Sequence, residues 1–144
     1  MSGTGGEGPE PAVRSRLLSA HGETLRGVIA AGRSVAASWE AEAASEAETV
    51  TRPLSDAIAA AGLSPDLLAA LGDGASALGA GIAGEPVPAP PYLVVTSRGP
   101  VCRATLDDGR RLVVTFVLFG VDRRPPCYRF LDPTPSELLD VRLR

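Results

Sequence analysis

Acid–base or nucleophilic chemistry on this chain would have to run through His21, the only histidine in 144 residues. It falls on the apolar face of a helical repeat, so a hydrogen-bonded core imidazole is expected there rather than a catalytic base. Ser97, in Thr-Ser-Arg-Gly-Pro, stands where a strand runs into a turn, but it lacks the flanking glycines of a GxSxG elbow, and His21 is the only histidine that could activate it. Cys102 and Cys127 lie 25 residues apart with no second ligand beside either, so neither belongs to a CxxC pair. Two buried thiols on neighbouring strands are the expectation in a reducing compartment. Glu42 and Glu46 would stand one helical turn apart and could share a divalent cation, yet no histidine or third acid lies in register with them. Gly79-Ala-Gly-Ile-Ala-Gly84 fits GxGxxG, a pattern that holds a dinucleotide when a strand leads into it and a helix follows. Here a helical pattern leads in and Glu85-Pro86 follows, so no cofactor is expected. No metal site and no catalytic set emerge, and the chain reads as a non-enzyme.

What remains is the arginine chemistry. The chain has no lysine, so every basic side chain is a planar guanidinium suited to bidentate contact with carboxylate or phosphate. Arg98, beside Gly99, could bind an anion with help from turn amides. Tyr92, Arg98, Arg103 and Arg129 are the candidate anion-binding residues, on the expectation that they share one basic, partly aromatic sheet surface.

The elements that would position them divide at a proline run, Gly84-Glu-Pro-Val-Pro-Ala-Pro-Pro91, between an alanine-rich part and a part rich in valine and arginine. Residues 1–10 are glycine-rich and polar and are expected to be disordered. From Pro11 to about Thr49, Leu18, His21, Leu25, Val28, Gly32, Val35 and Trp39 recur at spacings of three and four, which predicts one long helix. Two short helices follow, one starting near Pro53 with Thr51 as cap, the other with Ser64 as cap and Pro65 as first residue. After the linker, Tyr92–Ser97, Val101–Leu106, Arg111–Phe119 and Cys127–Leu131 read as strands, with Asp108-Gly109 turning the second into the third. Thr134-Pro-Ser-Glu137 has the form of a capping box, and Leu139, Val141 and Leu143 alternate with polar residues, which predicts one helical turn and then a fifth strand. The fold class is α+β, a single domain over 11–144. Its parts are helices over 11–83, a linker over 84–91, and a four- to five-stranded antiparallel meander over 92–144.

Charge follows the same division. Residues 1–92 carry five arginines against eleven acids, and residues 93–144 carry nine against six, within a net charge of -3. A nucleic-acid surface is not expected from an acidic chain with 4% aromatic residues. No basic, apolar leader opens the sequence and no apolar run approaches the ~20 residues of a membrane span, so a cytoplasmic protein is expected. The third strand is apolar on both faces, Leu112, Val114, Phe116 and Leu118 on one, Val113, Thr115, Val117 and Phe119 on the other. Helices on one side only would leave the second set uncovered. This predicts a non-enzymatic interaction module with a protein partner or a second copy, a homodimer; the alternative is a small anionic ligand on the arginine-lined sheet.

The stretch Ala-Pro-Pro-Tyr-Leu-Val-Val-Thr-Ser-Arg-Gly-Pro-Val over 89–101, with the Leu-Asp-Asp-Gly-Arg hairpin and apolar strand after it, resembles a group of small haloarchaeal proteins of unknown function. The similarity covers mainly 89–130. It implies a cytoplasmic protein of a salt-accumulating archaeon and brings no catalytic residues with it.

Overall fold

Helix formation starts earlier than the composition of the N-terminus suggests. Pro9, with its fixed φ and no amide to satisfy, is the first residue of α1 (Pro9–Ala20), so Pro9 and Glu10 are ordered. The computed structural model describes residues 8–123 and 125–144, and residues 1–7 of the 1–10 segment lie outside the described residues. The single long helix is two. α1 ends at His21, whose φ of -124° and ψ of 28° leave the helical region, and α2 (Gly22–Ala37) begins at the next residue. The apolar spacing runs through the break because each piece has its own partners. Val13 and Leu17 of α1 face α4 and the sheet, whereas Leu25, Val28, Gly32 and Val35 of α2 serve α3, α4 and the C-terminal elements.

After Ala37 the chain is irregular to residue 47, so Glu42 and Glu46 are exposed and on no helix. α3 (Glu48–Ala60) starts before Pro53, placing Thr51 inside it and not at its cap. α4 (Leu63–Ala77) starts at Leu63 after Gly62, whose φ of 68° turns the chain; Ser64 makes no cap bond. These helices are 13 and 15 residues long against 12 and 16 for the first two, so the layer holds four comparable helices and not one long with two short.

The strands are β1 (Leu93–Thr96), β2 (Gly99–Thr105), β3 (Arg111–Phe116), β4 (Phe119–Arg123), β5 (Pro126–Phe130) and β6 (Leu139–Leu143). All pairs are antiparallel, but the meander is interrupted. β1, β2, β3 and β6 form one sheet in that order, while β4 and β5 form a separate two-stranded hairpin. The interruption comes at Phe116. The Arg98 carbonyl in the β1–β2 turn accepts from the amides of Leu118 (2.7 Å) and Phe119 (3.1 Å), so the apolar run leaves the sheet and changes partner. Gly99 makes the approach possible, because at φ 143° a Cβ would lie 1.8 Å from the Phe116 carbonyl oxygen. The hairpin packs on α2 through Leu118 and Phe130, which reach Gly32, and through Phe119, whose ring lies 5.6 Å from Trp39 and 5.7 Å from Phe130. Ala44 bonds Tyr128 in both directions, at 2.9 and 2.7 Å, tying the irregular segment to β5.

The capping box forms as read. Thr134 and Glu137 satisfy each other's backbone amides, α5 (Pro135–Leu138) is one turn, and β6 follows at once. Helices cover one sheet face, where Leu93, Cys102, Ala104, Leu112, Val114, Phe116 and Leu139 are buried.

Candidate functional site

The opposite sheet face is set by register. Val94 lies across from Val101, Val101 from Thr115, and Thr115 from Asp140. In the next row Arg103 is opposite Val113 and Val113 opposite Arg142; beyond it Thr105 is opposite Arg111, which exchanges backbone bonds with Arg144. Strand alternation puts all of these on the outer face. The valines are half-buried and the four arginines exposed. An apolar strip is therefore bordered by guanidiniums at one end, with Asp140 the only acid in these rows, paired with Arg142 at 3.4 Å.

At that end the outer face meets the linker, and a cavity of about 230 Å3 opens between them, lined by Ala83, Pro91, Tyr92, Arg103, Thr105 and Arg111 along with Ala104. Arg103 and Arg111 are diagonal neighbours across β2 and β3, a placement that brings side-chain stems to about 7–8 Å. Among the described residues neither has a carboxylate partner. The acids nearest in sequence are engaged elsewhere. Asp107 accepts from the Gly81 amide at 3.0 Å, and Asp108 takes Arg110 through Nε (2.9 Å) and a terminal nitrogen (2.6 Å), which holds the Asp108 carboxyl below its ordinary range. Gly84, at φ 85°, gives room to the Tyr92 hydroxyl, which would lie 3.0 Å from a Cβ there.

Of the four residues expected to share a surface, the structure thus joins Tyr92 and Arg103 and separates the other two. Arg98 sits in the β1–β2 turn, in a depression with Ser97, Val121, Pro126 and Tyr128. Arg129 is on β5, bonded to Asp122 at 2.7 Å. Arg111 is the member the sequence reading missed. Its signal is the hairpin register, which Asp-Gly alone leaves open.

The remaining chemistry-bearing side chains are dispersed. His21 bonds Asp73 of α4 through Nε2 at 3.0 Å, and Arg16 reaches the same carboxylate at 2.9 Å. The imidazole contact and the guanidinium hold the Asp73 carboxyl below its ordinary range, against a smaller opposing effect of burial. His21 and Ser97 line separate depressions. The cysteines are free and lie in different sheets, Cys102 buried on β2 and Cys127 half-buried on β5, which corrects the expectation of two buried thiols on neighbouring strands. Burial pushes the Cys102 thiol up to about 12. The GxGxxG segment is a strap on the β2–β3 hairpin. Its Gly81 amide is taken by Asp107, the Gly81 carbonyl accepts from the Asp107 amide at 2.9 Å, and the Ala83 amide donates to Thr105 at 2.9 Å. Among the described residues no three of His, Cys, Asp and Glu gather at one point. Among the described residues no single helix is long and apolar enough to cross a membrane.

No curated protein and no solved structure matches the chain. One family model does, over residues 11–144, which takes in every helix and strand described above apart from the first two residues of α1. That match covers nearly the whole described domain, and the chain therefore belongs to DUF7988, a domain of unknown function.

Proposed function

We propose that the chain is a non-catalytic binding module that docks an acidic protein segment on the outer face of its four-stranded sheet. The observation that carries this reading is the half-buried strip of Val94, Val101 and Val113, bordered by Arg103, Arg111, Arg142 and Arg144. Contiguous apolar surface on a sheet marks an interaction site more often than scattered apolar residues do. Arginines at its border favour an acidic partner by steering and by excluding basic ones.

The resemblance of residues 89–130 to haloarchaeal proteins makes molar salt a condition to include. There the Debye length falls to about 3 Å and exposed charge pairs are largely screened, whereas apolar contacts persist. The test is affinity purification at low and molar potassium chloride with wild type beside Val113→Glu, together with light scattering of the purified chain. The expected result is one stoichiometric acidic protein on the wild type that is lost from the variant. The same proteins on both baits would overturn the reading, as would a partner released by nuclease. A wild-type dimer abolished by Val113→Glu would replace the acidic partner with a second copy.

A further inference from the structure

We infer that the cavity between the linker and the outer sheet face is a binding site for a phosphate group, held by Arg103 and Arg111 with the hydroxyls of Tyr92 and Thr105. The inference does not depend on a protein partner. Three observations converge on it. First, the polar side chains lining the cavity are all donors or neutral, two guanidiniums and two hydroxyls, with no carboxylate among them. Second, among the described residues the two guanidiniums have no acidic partner, as is true also of Arg14, Arg26, Arg52, Arg98 and Arg144, but these two line one cavity together. The carboxylates that could have neutralised Arg103 and Arg111, those of Asp107 and Asp108, are fixed by Gly81 and Arg110. Third, the wall is backbone-paired. The strap from Gly81 to Ala83 is bonded to the hairpin, and Gly84 leaves space for the Tyr92 hydroxyl.

The volume decides the class of ligand. About 230 Å3 falls below the ~300–1,000 Å3 that takes drug-sized molecules, so the site suits a phosphate ion or a phosphomonoester with a small substituent, not a nucleotide. Two arginines and two hydroxyls offer more donors than a single carboxylate needs, and they match the oxygens of a tetrahedral dianion.

The test is calorimetric titration of the full chain with inorganic phosphate, with sulfate and acetate as separate arms. Saturable binding of phosphate is expected, and sulfate binding beside it would support the tetrahedral site. Arg103→Met and Arg111→Met should each weaken binding at least ~10-fold, the equivalent of ~1.4 kcal/mol. Tyr92→Phe should weaken it less, and Arg129→Met should leave it unchanged. Both arginines are exposed, so circular dichroism of the variants should match wild type. Absence of saturation by ~10 mM phosphate, about tenfold above a millimolar dissociation constant, would overturn the inference. Binding that survives in the Arg103→Met, Arg111→Met double variant would overturn it too, as would saturation by acetate but not phosphate. None of these outcomes bears on the Val113→Glu comparison, so the two readings fail separately.

Discussion

Asp73 shows what a single side chain does at the break between α1 and α2. It receives His21 from the break and Arg16 from the turn before it, so one carboxylate on α4 fixes the point where the chain changes direction. Because its carboxyl is held below the ordinary range, chiefly by the His21 contact, the folded state binds that proton less readily than the unfolded chain does. The stabilisation is therefore complete above the ordinary carboxylate value near pH 4 and is lost as pH falls through the lower, folded value. Asp73→Asn keeps the shape and removes the charge. At pH 7 it should destabilise by about 1 kcal/mol, the scale of one partly exposed charged hydrogen bond. Below pH 4 the wild-type and variant stabilities should converge. Thermal melts followed by circular dichroism from acid to neutral pH measure this, and two curves that stay parallel would remove Asp73 from the acid limb. Residue-level reading of the sequence reached His21 as a hydrogen-bonded imidazole but could not supply Asp73, because the contact spans 52 residues and no local pattern announces it.

Elements were legible where their signals are local. The capping box at Thr134, the Asp-Gly hairpin and the alternation of β6 each lie within a few residues, and each forms. What was not legible depends on neighbours distant in sequence. The run from Arg111 to Phe119 is apolar throughout, and only the Arg98 carbonyl, turned inward by Gly99, ends the strand at Phe116. The arrangement of Tyr92, Arg98, Arg103 and Arg129 was not legible for a similar reason. With a two-residue loop at Asp108-Gly109, Arg111 would face Leu106; instead Leu106 donates to the Arg110 carbonyl at 2.7 Å around a three-residue loop with Gly109 at φ 90°. That one-residue difference places Arg111 opposite Thr105, on the same face as Arg103. Edge protection is likewise a tertiary matter. β6 borders the sheet, and α1 covers its free backbone groups: Arg14 donates to the Leu139 carbonyl at 2.6 Å and to Ser136, while Glu10 accepts from the Leu143 amide at 2.8 Å. Open edges template further pairing, so these contacts guard the strand as well as hold it. Arg14→Met should cost about 1.5–3 kcal/mol, the range for hydrogen bonds to a charged group. Hydrogen exchange at the β6 amides should accelerate while that of β2 follows only the global change. Equal acceleration in both strands would mean that α1 stabilises the fold without guarding the edge.

At the scale of the molecule the charge asymmetry turns out to be spatial. Of the acids of the helical part, Glu23, Glu40 and Asp66 are exposed on the layer that packs against the inner sheet face, while Asp56 lines a groove with Val94 of β1. Arg103, Arg111, Arg142 and Arg144 stand on the outer face. Among the described residues the ion pair that joins the two parts, Arg33 with Asp132 at 2.7 Å, runs from a helical arginine to an acid of the β part. A body acidic on one side and basic on the other attracts its own copies head to tail, a contact that need not close on itself and that favours open chains over a symmetric dimer. At ~0.01 M salt, with a Debye length of about 30 Å, light scattering should show net attraction between molecules despite the overall charge of -3. At ~1 M, where that length is about 3 Å, the attraction should vanish. Replacing Arg142 and Arg144 by glutamate should abolish it at low salt, because the outer face then matches the helical side in sign. Attraction that persists in that variant, or that grows with salt, would assign self-association to the valine strip and not to the field of the whole molecule.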